Sequence, residues 1–295
     1  MPVVVVVDPF AVVSEVESRV PAEVRVSSVV PAGAGIVALL LGPETPLTPA
    51  QLDALPDLRI VAATSAGTDH VPVDAVTARG AWVTSTAGYC TDEVADHTIA
   101  LVLGLLRGVT ALDSAVRAGR WDVREAAPRR IAGTTLGVIG FGATGRAVAA
   151  RATALGMRVL SASSGEDLSP LLSGSDVVTL HVPHRPGAKP VLDAAGIAAL
   201  RPGAFVVNVA RGAVLDTAAL GAALRSGHVA GAALDVLPSE PPPPDDPALS
   251  FPRTVLTPHA AWYSATAAVR PYVWAAESVA AVLAGQEPPR VVGRP

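Results

Sequence analysis

The stretch Leu136-Gly137-Val138-Ile139-Gly140-Phe141-Gly142-Ala143-Thr144-Gly145 decides the fold. An apolar run leads straight into a G-x-G-x-x-G turn, and an apolar-periodic segment through Val148 and Leu155 follows it. A strand, a tight glycine turn and a helix are therefore expected in that order. In such a unit Gly140 permits the turn, Gly142 lets the backbone approach a pyrophosphate, and Gly145 lets helix and strand pack closely. A helix N-terminus placed there favours anions. With 26 glycines in the chain the pattern alone is weak, but its strand and helix context points to a dinucleotide site.

Working outward, strand-like runs at 136–140, 158–162, 177–182, 204–209 and 232–236 alternate with helical segments near 144–155, 192–200 and 217–226. Alternation of this kind implies right-handed βαβ crossovers and a parallel sheet. A further short strand at 254–256 runs out into Pro258-His259. The end of the second strand is where an acidic residue would hold the adenine ribose of NAD. Ser163 stands there, with Glu166 and Asp167 close behind and no arginine positioned to grip a 2′-phosphate. NAD is the expected cofactor on these residues, with NADP left open.

The first hundred residues show a smaller α/β pattern, with strands expected at 3–7, 36–41, 59–63 and 81–83 and helices at 49–55 and 73–79. From Asp92 to Arg117 apolar residues recur at helical spacing without a proline, which predicts one long helix. Its length exceeds what one domain face usually buries, so part of it is expected to pack on a second subunit, as a homodimer. The segment 265–283 reads as a last helix, kinked at Pro271, and 288–295 as an extended tail.

Composition narrows the function classes. Apolar residues make up 50% and charged residues 16%, which suits a sheet covered on both faces. The net charge of −4 and the scattered arginines, with Lys189 the only lysine, argue against a nucleic-acid partner. The apolar runs fall short of the roughly 20 residues that cross a bilayer, so no membrane segment is expected. Val3 to Val7 lacks a basic flank and is read as a strand rather than a leader. A single cysteine, Cys90, excludes a disulfide framework and a multi-cysteine metal site; a reducing, cytoplasmic location is the expectation.

Ligands of an open parallel sheet sit outside the carboxyl ends of its strands. Arg211, Glu240 and His259 each follow one of the late strands. Reduction of a 2-oxo acid needs a cation on the carboxylate and carbonyl, and a group that protonates the oxygen as hydride arrives at carbon. Arginine supplies a bidentate fork, histidine a proton near neutral pH, and a glutamate on the second ring nitrogen fixes the tautomer and favours the imidazolium. Singly, each of the three is more often a surface or turn residue.

The runs Ser175-Asp176-Val177-Val178-Thr179-Leu180-His181-Val182-Pro183, Arg201-Pro202-Gly203-Ala204, Asn208-Val209-Ala210-Arg211-Gly212, Ala233-Leu234-Asp235-Val236 and Thr257-Pro258-His259 together resemble the D-isomer-specific 2-hydroxyacid dehydrogenases. The resemblance extends from about Arg59 to the C-terminus. It implies a Rossmann-type doubly wound parallel sheet, residues 100–265, and a second, smaller flavodoxin-like α/β domain built discontinuously from 1–99 and 266–295. It also implies that Arg211 binds substrate, that Glu240 pairs with His259, and that His259 is the acid/base. Asp235 would contact the nicotinamide amide, Ala143 and Thr144 the pyrophosphate, and Val182, Pro183, Val209 and Ala210 would line the cofactor cleft.

In the first domain Ser65-Ala66-Gly67-Thr68-Asp69 looks like the family's substrate loop, with Ala66 and Gly67 at the carboxylate. Cys90 and Thr91, ahead of Val94-Ala95-Asp96-His97, would face the nicotinamide. Thr257 to Ser264, with Trp262 after the histidine, is similar to the C-terminal-binding-protein subgroup, in which that tryptophan touches substrate. The implied partner is a small 2-oxo acid. Two other readings stay open on these residues: an NAD(H)-sensing dimeric interaction protein with little catalysis, and a phosphite-type dehydrogenase on the same fold. No metal site is expected, since the remaining histidines lack ligand spacing.

Overall fold

The computed structural model describes residues 2–163, 165–184 and 187–295. The chain forms two compact units, 1–90 with 263–295, and 91–262.

In the first unit the elements are β1 (Val3–Val7), α1 (Val13–Glu17), β2 (Glu23–Val26), β3 (Ile36–Leu41), α2 (Pro49–Asp53), β4 (Ile60–Ala63), α3 (Val73–Thr77) and β5 (Trp82–Thr84). The second unit supplies α4 (Thr91–Arg107), α5 (Val109–Arg117), β6 (Thr135–Ile139), α6 (Ala143–Ala154), β7 (Arg158–Ala162), α7 (Ser169–Gly174) and β8 (Val177–Leu180). It continues with α8 (Ala194–Ala198), β9 (Ala204–Asn208), α9 (Thr217–Ser226), β10 (Val229–Leu234) and β11 (Thr254–Leu256). The chain then returns to the first unit as α10 (Arg270–Leu283) and β12 (Val291–Gly293).

The first sheet has the order β12-β5-β4-β3-β1-β2 and is parallel except for β12. The reason for the unbroken valine run is visible in its packing. Val3, Val5 and Val7 enter one core, Val4 and Val6 another, so both faces of β1 are dry and the period-2 alternation has nothing polar to show. The second sheet, β11-β10-β9-β8-β6-β7, is wholly parallel. Its order reverses between β6 and β8, and at such a switch point a crevice opens beyond the strand ends.

Several expectations need correction. The long helix of 92–117 is two helices bent by 61°. Gly108 sits between them at φ +63°, a left-handed backbone that no continuous helix contains. Pro271 does not kink the last helix; it lies in the first turn of α10, where its missing N–H costs nothing. The tail forms β12, antiparallel to β5, and the short β2 and α7 join the expected elements. The junctions fall at 90/91 and 262/263 rather than 99/100 and 265/266, because α4 packs along its length on α6, β9 and β10 and so belongs to the second unit. Among the described residues no single helix is long and apolar enough to cross a membrane.

Candidate active site

The glycine turn after β6 is built as its spacing requires. Gly140 lies at φ +96°, and a Cβ there would stand 2.4 Å from the His181 carbonyl oxygen at the end of β8. At Gly145 a Cβ would meet the Gly140 carbonyl oxygen at 2.1 Å, so helix and strand touch backbone to backbone. Gly142 is different: nothing lies within 4 Å of its absent side chain. It caps α6 with no side-chain bond, leaving an exposed helix N-terminus at Ala143 and Thr144. This open cradle at a switch point fits a dinucleotide pyrophosphate. Val182 and Pro183 follow β8, and buried Val209 and half-buried Ala210 follow β9.

Ser163 ends β7 and offers no carboxylate of its own. Its N–H instead donates to Glu166 Oε2 at 2.6 Å, which brings an acid back to the strand end from three residues downstream. Asp167 turns elsewhere, accepting from the Ser169 N–H at 2.9 Å and hydroxyl at 2.7 Å. Ser164, between them, lies outside the described residues.

Arg211, Glu240 and His259 all belong to the second unit, beyond β9, β10 and β11. Arg211 is half-buried on a turn pinned by Asn208, whose Nδ2 donates to the Arg211 carbonyl at 2.8 Å while its Oδ1 accepts from Ala210 N–H at 3.1 Å. A Cβ at Gly212 would lie 2.1 Å from the Leu237 carbonyl carbon, so glycine alone lets this turn close on the loop that carries Glu240. Glu240 Oε2 lies 2.6 Å from His259 Nδ1, and its Oε1 accepts from the Leu237 N–H at 3.0 Å. Burial alone would raise the Glu240 pKa. The hydrogen bond and charge of His259, the Leu237 N–H and the Arg211 guanidinium outweigh it, and the carboxyl is held below its ordinary value.

His259 itself occupies the left-handed region at φ +51°. Asp235, 2% exposed, holds the turn in that shape. Its carboxylate accepts from the Thr257 hydroxyl at 2.5 Å, the Ala260 N–H at 2.8 Å and the Ala261 N–H at 3.0 Å. The structure thus engages Asp235 with the histidine turn on both oxygens. Trp262 is half-buried at the end of the same segment. Three contributors escaped the sequence reading: Asn208, Thr257 and His97, the last with Nε2 3.2 Å from the Thr257 hydroxyl. All three were legible only as letters of family-like motifs, His97 closing the run Val94-Ala95-Asp96-His97.

Ala66 and Gly67 lie in the first unit, on the loop leaving β4. That loop is tied by Ser65 Oγ donating to the Gly67 carbonyl at 2.7 Å and by Thr86 N–H donating to the Ser65 carbonyl at 3.0 Å. Among the described residues no group of three His, Cys, Asp or Glu side chains is placed to hold a metal ion.

Residues 99–261 match the family model of the D-isomer specific 2-hydroxyacid dehydrogenase NAD binding domain. The chain is 35% identical over 262 residues to a glyoxylate reductase of Thermofilum pendens, covering 82% of this chain and 77% of the relative. An NADPH-dependent glyoxylate/hydroxypyruvate reductase from Sinorhizobium meliloti, solved with NADP and malonate, superposes with a TM-score of 0.85 at 30% identity, covering 99% of this chain and 96% of the other. A D-lactate dehydrogenase from Aquifex aeolicus, solved with NAD and lactic acid, gives 0.85 at 27% identity and 96% of each chain. With a family model matched over more than half of its length and relatives above 30% identity over more than two thirds of theirs, the chain belongs to the D-isomer specific 2-hydroxyacid dehydrogenases, NAD(P)-dependent enzymes that transfer hydride between 2-hydroxy and 2-oxo acids.

Proposed function

We propose that this chain uses NADH to reduce a small 2-oxo acid of the glyoxylate or hydroxypyruvate kind to its 2-hydroxy acid, the D-isomer wherever C2 becomes a stereocentre, with Arg211, Glu240 and His259 in distinct roles. The observation that carries the proposal is the 2.6 Å contact between His259 Nδ1 and Glu240 Oε2, beside the charge of Arg211. Arg211 grips the substrate carboxylate and polarises the carbonyl. Because Glu240 engages Nδ1, Nε2 is the nitrogen left to give its proton to the carbonyl oxygen. The bound nicotinamide supplies the hydride to C2 in reduction and accepts it in the reverse direction. Glu240 keeps the imidazole in register and fixes which ring nitrogen faces the substrate. The face of Trp262 meets the substrate side chain.

The Glu166 carboxylate at the end of β7 supports NADH over NADPH, since an acid there bonds ribose hydroxyls and repels a 2′-phosphate. The chain acts as a homodimer through the bent α4–α5 arm and the segment after it, where Trp121 is 89% and Val123 81% exposed. A reducing, cytoplasmic setting accords with its single cysteine.

The test is NADH and NADPH oxidation over glyoxylate, pyruvate, hydroxypyruvate and phenylpyruvate, with chiral analysis of the product. Turnover of the small acids with NADH is expected, giving the D-isomer from hydroxypyruvate and pyruvate and the achiral product from glyoxylate. Nucleotide binding without turnover of any 2-oxo acid would overturn the proposal.

A further inference from the structure

The left-handed backbone of His259 is unfavourable for a residue with a Cβ, and it persists only where neighbours over-determine it. The His259 N–H donates to the Asp235 carbonyl at 2.8 Å and the Thr257 carbonyl at 3.0 Å, while the Asp235 carboxylate collects the next two N–H groups. The Thr257 hydroxyl spends its single proton on Asp235 Oδ1 at 2.5 Å. It can therefore only accept from His97, whose Nε2 stands 3.2 Å away and 3.6 Å from Asp235 Oδ1. His97 lies on α4, 160 residues before Thr257, and the mechanism does not otherwise use it.

We propose that His97 is a positioning residue for the acid–base step. Its Nε2–H holds the Thr257 hydroxyl in the one orientation that completes the Asp235 cage, and through that cage it fixes the aim of His259. The inference rests on the proposed role of His259. Loosening such a support displaces the proton donor from its line of approach, a loss that falls on the chemical step rather than on binding.

The experiment compares wild type with His97→Leu, His97→Gln, Thr257→Val and the double variant H97L/T257V. It measures kcat, KM for the 2-oxo acid, NADH Kd by fluorescence, and the primary isotope effect with NADH deuterated at the transferred position. H97L is expected to lower kcat about tenfold, keep Kd and KM within about twofold, and show an isotope effect at least as large as wild type. H97Q, which retains an N–H donor, is expected to recover most of the loss. T257V alone is expected to cost as much as H97L, and the double variant no more than either, because one cage is broken once. Unchanged kcat in H97L, or additive losses in the double variant, overturns the inference. His259→Ala separates the two levels: its collapse alongside an unaffected H97L removes only the role of His97, whereas wild-type turnover in His259→Ala removes the role of His259 and this inference with it. Should H97L fail to fold, T257V and H97Q carry the same comparison.

Discussion

Oε2 of Glu240 lies 2.6 Å from Nδ1 of His259, while Oε1 of the same carboxylate accepts the Leu237 N–H at 3.0 Å. One carboxylate thus ties the acid/base imidazole to its own backbone loop, and both ends of the pair are fixed before substrate arrives.

Glu240→Gln keeps the shape of this contact and removes its charge. At pH 7.5 kcat/KM is expected to fall roughly 10- to 100-fold. In wild type Glu240 is held below its ordinary value of 4.5. Its share of stability is therefore complete above 4.5 and lost only as pH falls through the depressed value. Steady-state kinetics at pH 7.5 and acid denaturation of both proteins check this; an unchanged kcat/KM in the variant counts against it.

Arg211 sits on a turn whose backbone Asn208 secures independently of the guanidinium. Arg211→Ala should consequently leave the fold and NADH binding intact. It is expected to raise KM for the 2-oxo acid about 10- to 100-fold and to lower kcat as well. Arg211→Lys restores charge without the planar fork and is expected to recover only part of the KM. Steady-state kinetics with a nucleotide titration reads both effects, and a matching loss of NADH affinity would contradict the assignment.

The Ser163 N–H bond to Glu166 makes a direct claim on cofactor choice. In Glu166→Gln the NADH Kd is expected to rise about tenfold, with NADPH affected little or improved, while Asp167→Asn changes neither, because Asp167 is engaged by Ser169. Fluorescence titration with each nucleotide decides it. A wild-type preference for NADPH would be the contrary result.

How much of this was legible follows from what each residue must do. The central strands could be read because both of their faces are dry, so runs such as Val3–Val7 and Val177–Leu180 stand out from composition alone. The break in the long helix could not: Gly104 and Gly108 look alike in sequence, yet only Gly108 leaves helical backbone. β2 escaped because an edge strand of four residues, Glu23-Val24-Arg25-Val26, has no fully buried side chain to mark it. Arg211, Glu240 and His259 were readable as polar residues just past apolar runs. Their supports were not, since Asn208, Thr257 and His97 act through hydrogen bonds whose partners lie on other turns or elements, and the pairing of His97 with Thr257 exists only in three dimensions.

His181 ends β8 with Nε2 3.0 Å from the Thr179 hydroxyl, and burial pushes its pKa down from 6.5 to about 4. The native ring stays neutral where the unfolded one protonates. Stability is therefore complete above pH 6.5 and is lost as pH falls from 6.5 to about 4, where the curve flattens. The loss is expected to be on the order of 2 kcal/mol, allowing for the ring's partial contact with solvent. Urea denaturation at pH 7 and pH 5 measures it. His181→Gln, which cannot take up the proton, is expected to show a shallower difference between the two.

Tyr272 on α10 is buried, and burial first, then the neighbouring Asp8 carboxylate to which it is hydrogen-bonded, raises its pKa far above the ordinary value. Asp8 is itself 6% exposed and accepts from the Thr64 hydroxyl at 2.6 Å and the Phe10 N–H at 2.9 Å. Thr64 leads directly into the loop of Ala66 and Gly67, so the phenol, the carboxylate and the hydroxyl form a brace beneath that loop. Tyr272→Phe deprives a buried carboxylate of one donor and is expected to cost about 1 to 3 kcal/mol of stability. A spectroscopic alkaline titration of wild type against Tyr272→Phe adds an independent check: Tyr272 should stay protonated well above the ordinary tyrosine value of 10.0. A Tyr272 phenol that titrates at its ordinary value would show that Asp8 and Tyr272 are not joined, and the brace would have no basis.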